Sequence, residues 1–110
     1  MISLVEQHKA AVAELCRRYR VQRLYVFGSA ADERFDAQRS DLDFVVKMVD
    51  REPTGGYADR VLDLAEALER LFQRRVDLVT EESIRNPYFR KQVEATRQLV
   101  YEEPGQEAAA

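Results

Sequence analysis

The sequence predicts a small α/β domain, because segments with apolar residues at helical spacing alternate with short apolar runs of strand length. The chain has 110 residues, which suits one domain and leaves no room for a second substrate-binding domain. Hydrophobic residues make up 45% and charged residues 34% of the chain, as in globular rather than disordered proteins. The predicted strands are too few for a doubly wound dinucleotide-binding fold.

The first half of the chain is predicted to contain two helices and two strands. Apolar residues recur at helical spacing over residues 4–19, which predicts the first helix. Residues 22–27 and 41–49 are apolar-rich runs that predict strands. Between these strands, residues 29–35 are predicted as a short helix, because small and acidic residues favour a helical first turn.

The second half continues the alternation of helices and strands. A loop at 50–56, which contains proline and glycine, precedes an amphipathic helix at 61–72 and a strand at 75–80. A turn at 81–87, a helix at 88–98 and a closing strand at 99–101 are predicted to follow. The expected organisation is therefore one domain over residues 1–103 with a flexible tail over residues 104–110.

Composition excludes several classes of protein. The formal net charge of −3 argues against bulk nucleic-acid binding, which usually requires a basic excess. Cys16 is the only cysteine, so neither an internal disulfide nor a thiolate zinc site can form. No apolar run approaches the roughly 20 residues that a membrane span needs. We therefore expect a soluble cytoplasmic protein with no membrane partner.

A Gly-Ser pair, Gly28 and Ser29, follows the first predicted strand. Gly28 has no Cβ atom, so the backbone can turn sharply there and a ligand can approach it closely. If a helix starts at Ser29, its free N–H groups and positive dipole end suit phosphate oxygens, and the Ser29 hydroxyl adds a donor. On its own, a Gly-Ser pair is more often an ordinary strand-to-helix turn.

Two carboxylates begin the second predicted strand, after an eleven-residue spacer. Asp41 and Asp43 point to the same face, with Cα atoms roughly 6.5 Å apart, while the intervening apolar side chains point to the core. Neighbouring carboxylates repel, so the pKa of one should rise, and Mg²⁺ or Mn²⁺ would relieve the conflict. The alternative is a solvated strand face, which the joint occurrence with the Gly-Ser pair disfavours.

Asp77 is a third acid, flanked by apolar residues in the third predicted strand. Three acids on one sheet face suit a two-metal site, with Asp41 and Asp43 bridging the ions. Asp77 would then hold the metal that activates the attacking hydroxyl, or act as its base. The alternative is an edge-strand acid that pairs with Arg74 or Arg75.

Together these motifs resemble the nucleotidyltransferase superfamily of DNA polymerase beta. The family pattern is an apolar strand, Gly-Ser, roughly ten residues, Asp-x-Asp in a second apolar strand, and a later single Asp. The closest likeness is to the minimal nucleotidyltransferases (MNT), small proteins often paired with HEPN-domain toxins. The resemblance covers residues 21–102, and its main stretches are Phe27-Gly28-Ser29, Ser40-Asp41-Leu42-Asp43-Phe44 and Arg75-Val76-Asp77-Leu78-Val79-Thr80.

The resemblance implies the small mixed β-sheet with flanking helices of the superfamily's catalytic core. It implies Mg²⁺-dependent transfer of a nucleoside monophosphate, with Asp41, Asp43 and Asp77 as catalytic residues and metal ligands and with Gly28 and Ser29 at the nucleotide. In MNT–HEPN pairs the donor is ATP, the acceptor is a tyrosine of the toxin, and the transfer silences an RNase. The implied partners are a nucleoside triphosphate and a HEPN-type toxin, and a hetero- or homo-oligomer is compatible with both.

The stretch after the Gly-Ser pair departs from the family pattern. Family members often continue with Ala-Arg-Gly, whereas residues 30–34 here read Ala-Ala-Asp-Glu-Arg. This departure motivates a second hypothesis, an antitoxin that neutralises its partner by contact without catalysis. A third hypothesis is a transferase acting on a nucleotide, an RNA end or a small molecule, although the small size and the acidic balance count against it.

Overall fold

The computed structural model describes residues 3–28, 41–49 and 56–104. The elements in these ranges are α1 (Ser3–Gln7), α2 (Lys9–Arg18), β1 (Val21–Phe27), β2 (Leu42–Met48), α3 (Tyr57–Phe72), β3 (Val76–Thr80), a 3₁₀ helix (Glu81–Ser83), α4 (Pro87–Thr96) and β4 (Gln98–Glu102).

The four strands form one mixed sheet in the order β3-β2-β1-β4. β1 runs antiparallel to β2 and to β4, whereas β2 and β3 are parallel. Parallel neighbours need a crossover connection, and α3 lies between β2 and β3 in the chain. The predicted fold, a small mixed sheet with flanking helices, is confirmed.

The sheet buries apolar side chains on both faces. On one face, Leu42, Phe44 and Val46 of β2 pack among residues of α1, α2 and α3 in the larger core cluster. On the other face, which we call the Asp43 face because Asp43 and Val45 alternate with that set, a smaller cluster forms. Its buried members are Phe27, Val45, Ile84 and Val93.

Helix α4 covers part of the Asp43 face. It begins after Asn86, whose side-chain oxygen accepts hydrogen bonds from the backbone N–H groups of Tyr88 (2.8 Å) and Phe89 (3.2 Å). Val93 lies in the smaller core cluster, and the Phe89 ring meets the Phe27 ring edge-on with centroids 5.8 Å apart. These contacts fix α4 beside the end of β1.

The predicted helix over residues 4–19 is two helices, broken at His8. The His8 N–H donates to the carbonyl of Val5 at 3.1 Å, which closes α1 with a tighter turn than an α-helix has. The His8 ring nitrogen Nδ1 lies 2.9 Å from the carbonyl oxygen of Leu4, and the ring packs on Phe72 with centroids 5.1 Å apart. The break therefore gives His8 a packing role.

Several predicted segments lie outside the described residues. They are the short helix at 29–35, nearly all of the loop at 50–56 and the last six residues of the tail. Just after β4, the Glu103 N–H donates a hydrogen bond to the carbonyl of Gln22 at 2.8 Å. The chain is therefore attached to the sheet as far as Glu103. No helix in the described ranges is both long and apolar enough to cross a membrane.

Candidate active site

Gly28, whose position we call the Gly28 turn because its backbone is left-handed, comes immediately after the last β1 residue paired with β2. Phe27 is the register partner of Asp43, so Gly28 follows directly beyond that pair. Its φ is +68°, in the left-handed region that favours glycine. A Cβ atom built on Gly28 would lie 3.2 Å from Asp43 Oδ2. The structure thus brings the predicted glycine and the predicted carboxylate into contact range, whereas Ser29 lies outside the described residues.

The three predicted carboxylates lie at one end of the sheet. Asp43 and Asp77 are register partners on the parallel strands β2 and β3, and Asp41 comes just before β2. Asp43 is half-buried, and the other two are exposed. Burial, together with the charges of Asp77 and Asp41, raises the pKa of Asp43 from 3.8 to about 6. This agrees with the rise in one carboxyl pKa that the sequence predicts.

The donor set fits a hard divalent cation by its chemistry. Carboxylate oxygens are the ligands that Mg²⁺ and Mn²⁺ prefer, and a cation relieves the repulsion that Asp43 experiences from both neighbours. Within the described ranges, no three His, Cys, Asp or Glu side chains are already gathered into a metal-binding cluster. The three carboxylates are nevertheless close enough for Asp41 and Asp77 to raise the pKa of Asp43.

A cavity of about 470 Å³ opens between the Gly28 turn and α4. Asp43 lies on its wall, and the remaining lining is mostly apolar. The lining residues are Phe27, Gly28, Asp43, Phe89, Gln92, Ala95 and Thr96. Such a recess, with a few polar groups in an apolar wall, is the usual form of a small-molecule site.

Thr96 is a polar residue of this cavity that sequence reasoning missed. The Gly28 N–H donates a hydrogen bond to Thr96 Oγ1 at 3.0 Å. The Thr96 hydroxyl in turn donates to the backbone carbonyl of Gln92 at 2.8 Å. A threonine in the last turn of a helix carries no signal for a partner 68 residues away, so only the folded structure could identify it.

Replacing Asp77 with asparagine is expected to lower the pKa of Asp43 from about 6, because the change removes one of the two charges that raise it. A ¹³C NMR titration of the side-chain carboxyl groups, without divalent cations, would measure the shift. Asp63→Asn on the exposed surface of α3 removes the same charge and should leave the Asp43 titration unchanged. An Asp43 pKa that is the same in Asp77→Asn and in the unsubstituted protein would contradict this charge coupling.

The nucleotidyltransferase domain family matches residues 8–100 of the chain. The chain belongs to this family. The match includes β1, β2 and β3 and therefore the Gly28 turn and all three carboxylates. This nucleotidyltransferase is also similar to a candidate protein adenylyltransferase of Methanocaldococcus jannaschii, which is 32% identical over 98 residues. The aligned segment covers 89% of this chain and 90% of the relative.

Solved structures share the nucleotidyltransferase fold. One is described as a candidate minimal nucleotidyltransferase, with 32% identity, a TM-score of 0.69, and coverage of 88% of this chain and 95% of that chain. Another is a complex of tri-AMPylated Shewanella oneidensis HEPN toxin with MNT antitoxin. That match has 20% identity and a TM-score of 0.63, and it covers 96% of this chain and 78% of that chain. At this identity it shows a shared fold and nothing more. The resemblance to the minimal nucleotidyltransferases is thus confirmed, and the protein is a nucleotidyltransferase enzyme.

Proposed function

We propose that this nucleotidyltransferase transfers AMP from ATP to a tyrosine of a HEPN-type RNase toxin and so acts as its antitoxin. The observation that carries the proposal is the half-buried Asp43, whose pKa is raised by burial and by two neighbouring carboxylates, on the wall of a cavity beside the Gly28 turn. Strongly perturbed carboxyl groups in a cleft are typical of catalytic sites.

The choice of a protein acceptor is supported by the relatives. The Methanocaldococcus jannaschii relative is named for protein adenylyl transfer, and it aligns along nearly its whole length. The Shewanella oneidensis complex pairs an MNT antitoxin with an AMPylated HEPN toxin.

In the proposed reaction, the tyrosine oxygen forms a bond to the α-phosphorus of ATP, and the bond from that phosphorus to the bridging oxygen of the β-phosphate breaks. Pyrophosphate leaves with the electron pair of that bond. The proton of the tyrosine hydroxyl passes to a carboxylate, and we assign that role to Asp77, which is exposed and opposite Asp43.

With Asp77 as the proton acceptor, Asp41 and Asp43 would hold Mg²⁺ or Mn²⁺, which would neutralise the phosphates and lower the pKa of the attacking hydroxyl. Asp43 is the most firmly held of these carboxylates, because the neighbouring side chains of its strand, Phe44 and Val45, are buried on opposite faces of the sheet. Gly28 leaves the space beside Asp43 Oδ2 free of a side chain. Phe89 of α4 forms part of the cavity wall beside that space.

The test is the intact mass of a HEPN-type toxin encoded beside this chain, after incubation with the chain, ATP and Mg²⁺. We expect a gain of one or more adenylyl groups, located on tyrosine by peptide mass spectrometry. The doubly substituted Asp41→Asn/Asp43→Asn protein is the control and should give no gain.

One observation favours a second candidate function, an antitoxin that acts by contact alone. Residues 30–34 lack the glycine that family members often have after the Gly-Ser pair. A stable complex with the toxin, RNase inhibition and no mass gain with ATP or other nucleoside triphosphates would establish that function. Adenylylation of an RNA end or a small molecule, with no gain on the toxin, would instead show a different acceptor.

A further inference from the structure

We propose that Thr96 is a positioning residue of the active site, which holds the Gly28 turn in place against Asp43 through a two-step hydrogen-bond relay. The effect of this relay on catalysis rests on the proposed function. It arises from a contact that joins α4 to the end of β1.

The turn at Gly28 needs an external anchor. The ladder between β1 and β2 ends with the pair Phe27 and Asp43, so Gly28 is the first residue without that support. Glycine also has more backbone freedom than any other residue, and its φ of +68° is one of several conformations open to it. The hydrogen bond from the Gly28 N–H to Thr96 Oγ1, at 3.0 Å, selects that conformation.

The Thr96 hydroxyl is itself held in a fixed direction. It donates its proton to the carbonyl of Gln92 at 2.8 Å, so its lone pairs face the Gly28 N–H. The backbone beneath it is rigid, because Val93 is buried in the smaller core cluster and Phe89 packs edge-on against Phe27. The relay therefore connects Gly28 to a helix that the core already fixes.

This relay gives Gly28 a defined role beside Asp43. Its N–H is already bonded to Thr96, so the phosphate donors of the site must be other groups. What Gly28 contributes is shape, since the absent side chain leaves Asp43 Oδ2 uncrowded at a point where a Cβ would lie 3.2 Å away. If the turn shifts, the backbone moves relative to that carboxylate, and small displacements at reacting groups strongly reduce rates.

The experiment compares Thr96→Val, which keeps the branched shape but loses the hydroxyl, with Thr96→Ser, which keeps the hydroxyl. The first readout is amide hydrogen exchange of the ligand-free protein by NMR. Thr96→Val should speed exchange at Gly28 at least about tenfold, because the hydrogen bond is lost, while Leu24 and Val26 in β1 stay protected. Thr96→Ser should exchange at the unsubstituted rate.

The second readout is steady-state transfer of AMP to the toxin. Thr96→Val should lower kcat about tenfold with KM for ATP within about twofold, as expected when geometry in the transition state is lost. Thr96→Ser should restore kcat. Ser83→Ala is a matched control, because its hydroxyl also donates to a local carbonyl, that of Thr80 at 2.8 Å, but outside the cavity.

The outcomes separate the inference from the proposed function. If Thr96→Val leaves Gly28 exchange and kcat unchanged, or if Thr96→Ser is as impaired as Thr96→Val, the positioning role is wrong. If the unsubstituted protein transfers nothing to the toxin, the proposed function fails, and the exchange data alone still decide whether Thr96 holds the turn. Should Thr96→Val unfold, Thr96→Ala and Thr96→Ser provide the same comparison.

Discussion

Replacing Asp43 with asparagine is expected to abolish nucleotidyl transfer while making the metal-free protein more stable at neutral pH. Loss of activity follows from the proposed role of Asp43 as a metal ligand. Residues that merely support metal ligands typically contribute 10–100-fold to activity or metal affinity, so loss of a ligand should cost at least about a hundredfold. The stability gain follows from the environment of the carboxylate.

The sign of the stability change comes from the raised pKa of Asp43. The folded protein binds the proton with a pKa of about 6, against an ordinary value of 3.8, so its stability falls as pH rises between these values. Asparagine has no charge to lose, and it removes this penalty above pH 6. Because Asp43 is only half-buried, solvent screens the effect, and we expect a gain of about 1 kcal/mol.

Thermal unfolding in EDTA would measure the change, with a Tm for Asp43→Asn about 4 °C above that of the unsubstituted protein at pH 7.5. The difference should shrink as pH falls through 6 and vanish below 3.8. Asp63→Asn, on the exposed surface of α3, should change neither Tm nor transfer appreciably. An active Asp43→Asn protein would exclude the proposed site, and an unchanged Tm would exclude the repulsion.

Adding ATP and Mg²⁺ extends the same measurement to ligand binding. The unsubstituted protein should gain Tm, because a ligand that binds only the folded state stabilises it. Asp43→Asn should gain much less, since the carboxylate that favours the cation is gone. With ATP and Mg²⁺ present, the unsubstituted protein should therefore have the higher Tm, which reverses the order seen without them.

Local periodicity was enough to predict the strands and their faces. In β2 the alternation of Leu42, Asp43 and Phe44 is fixed by strand geometry, and the structure buries both apolar residues in the larger core cluster. The same rule placed Asp43 and Asp77 on one face. Their direct opposition across the parallel pair depends on the connection through α3, and strand periodicity contains no information about that register.

Features that depend on contacts distant in sequence could not be predicted. β4 pairs antiparallel with β1, although more than 70 residues separate them, and α4 reaches the Asp43 face only because the chain crosses the sheet on its way to β4. The break at His8 arises from local hydrogen bonding that apolar periodicity does not register. Thr96 could not be identified from the sequence either, because its partner Gly28 is 68 residues away and threonine is common at helix ends.

Gly28→Ala is expected to impair transfer more than it impairs folding. Alanine must adopt a φ of +68°, which L-residues disfavour by roughly 1–2 kcal/mol. The reduced freedom of the unfolded chain offsets about 0.4–1 kcal/mol of that cost. The net loss of stability should therefore be about 1 kcal/mol, whereas the new methyl group would lie 3.2 Å from Asp43 Oδ2 and displace the carboxylate.

The displacement needed is a few tenths of an ångström. Because errors of about 1 Å at reacting groups cost up to about a hundredfold, kcat/KM should fall several-fold. Gly56→Ala is the matched control. Its φ of +81° imposes similar backbone strain, but the added Cβ would meet only Arg60 Nη1 at an ordinary 3.8 Å. Both variants should lose comparable stability in thermal unfolding, and only Gly28→Ala should lose transfer. Equal losses of transfer in the two variants would mean that backbone strain, rather than crowding at Asp43, explains the effect of Gly28.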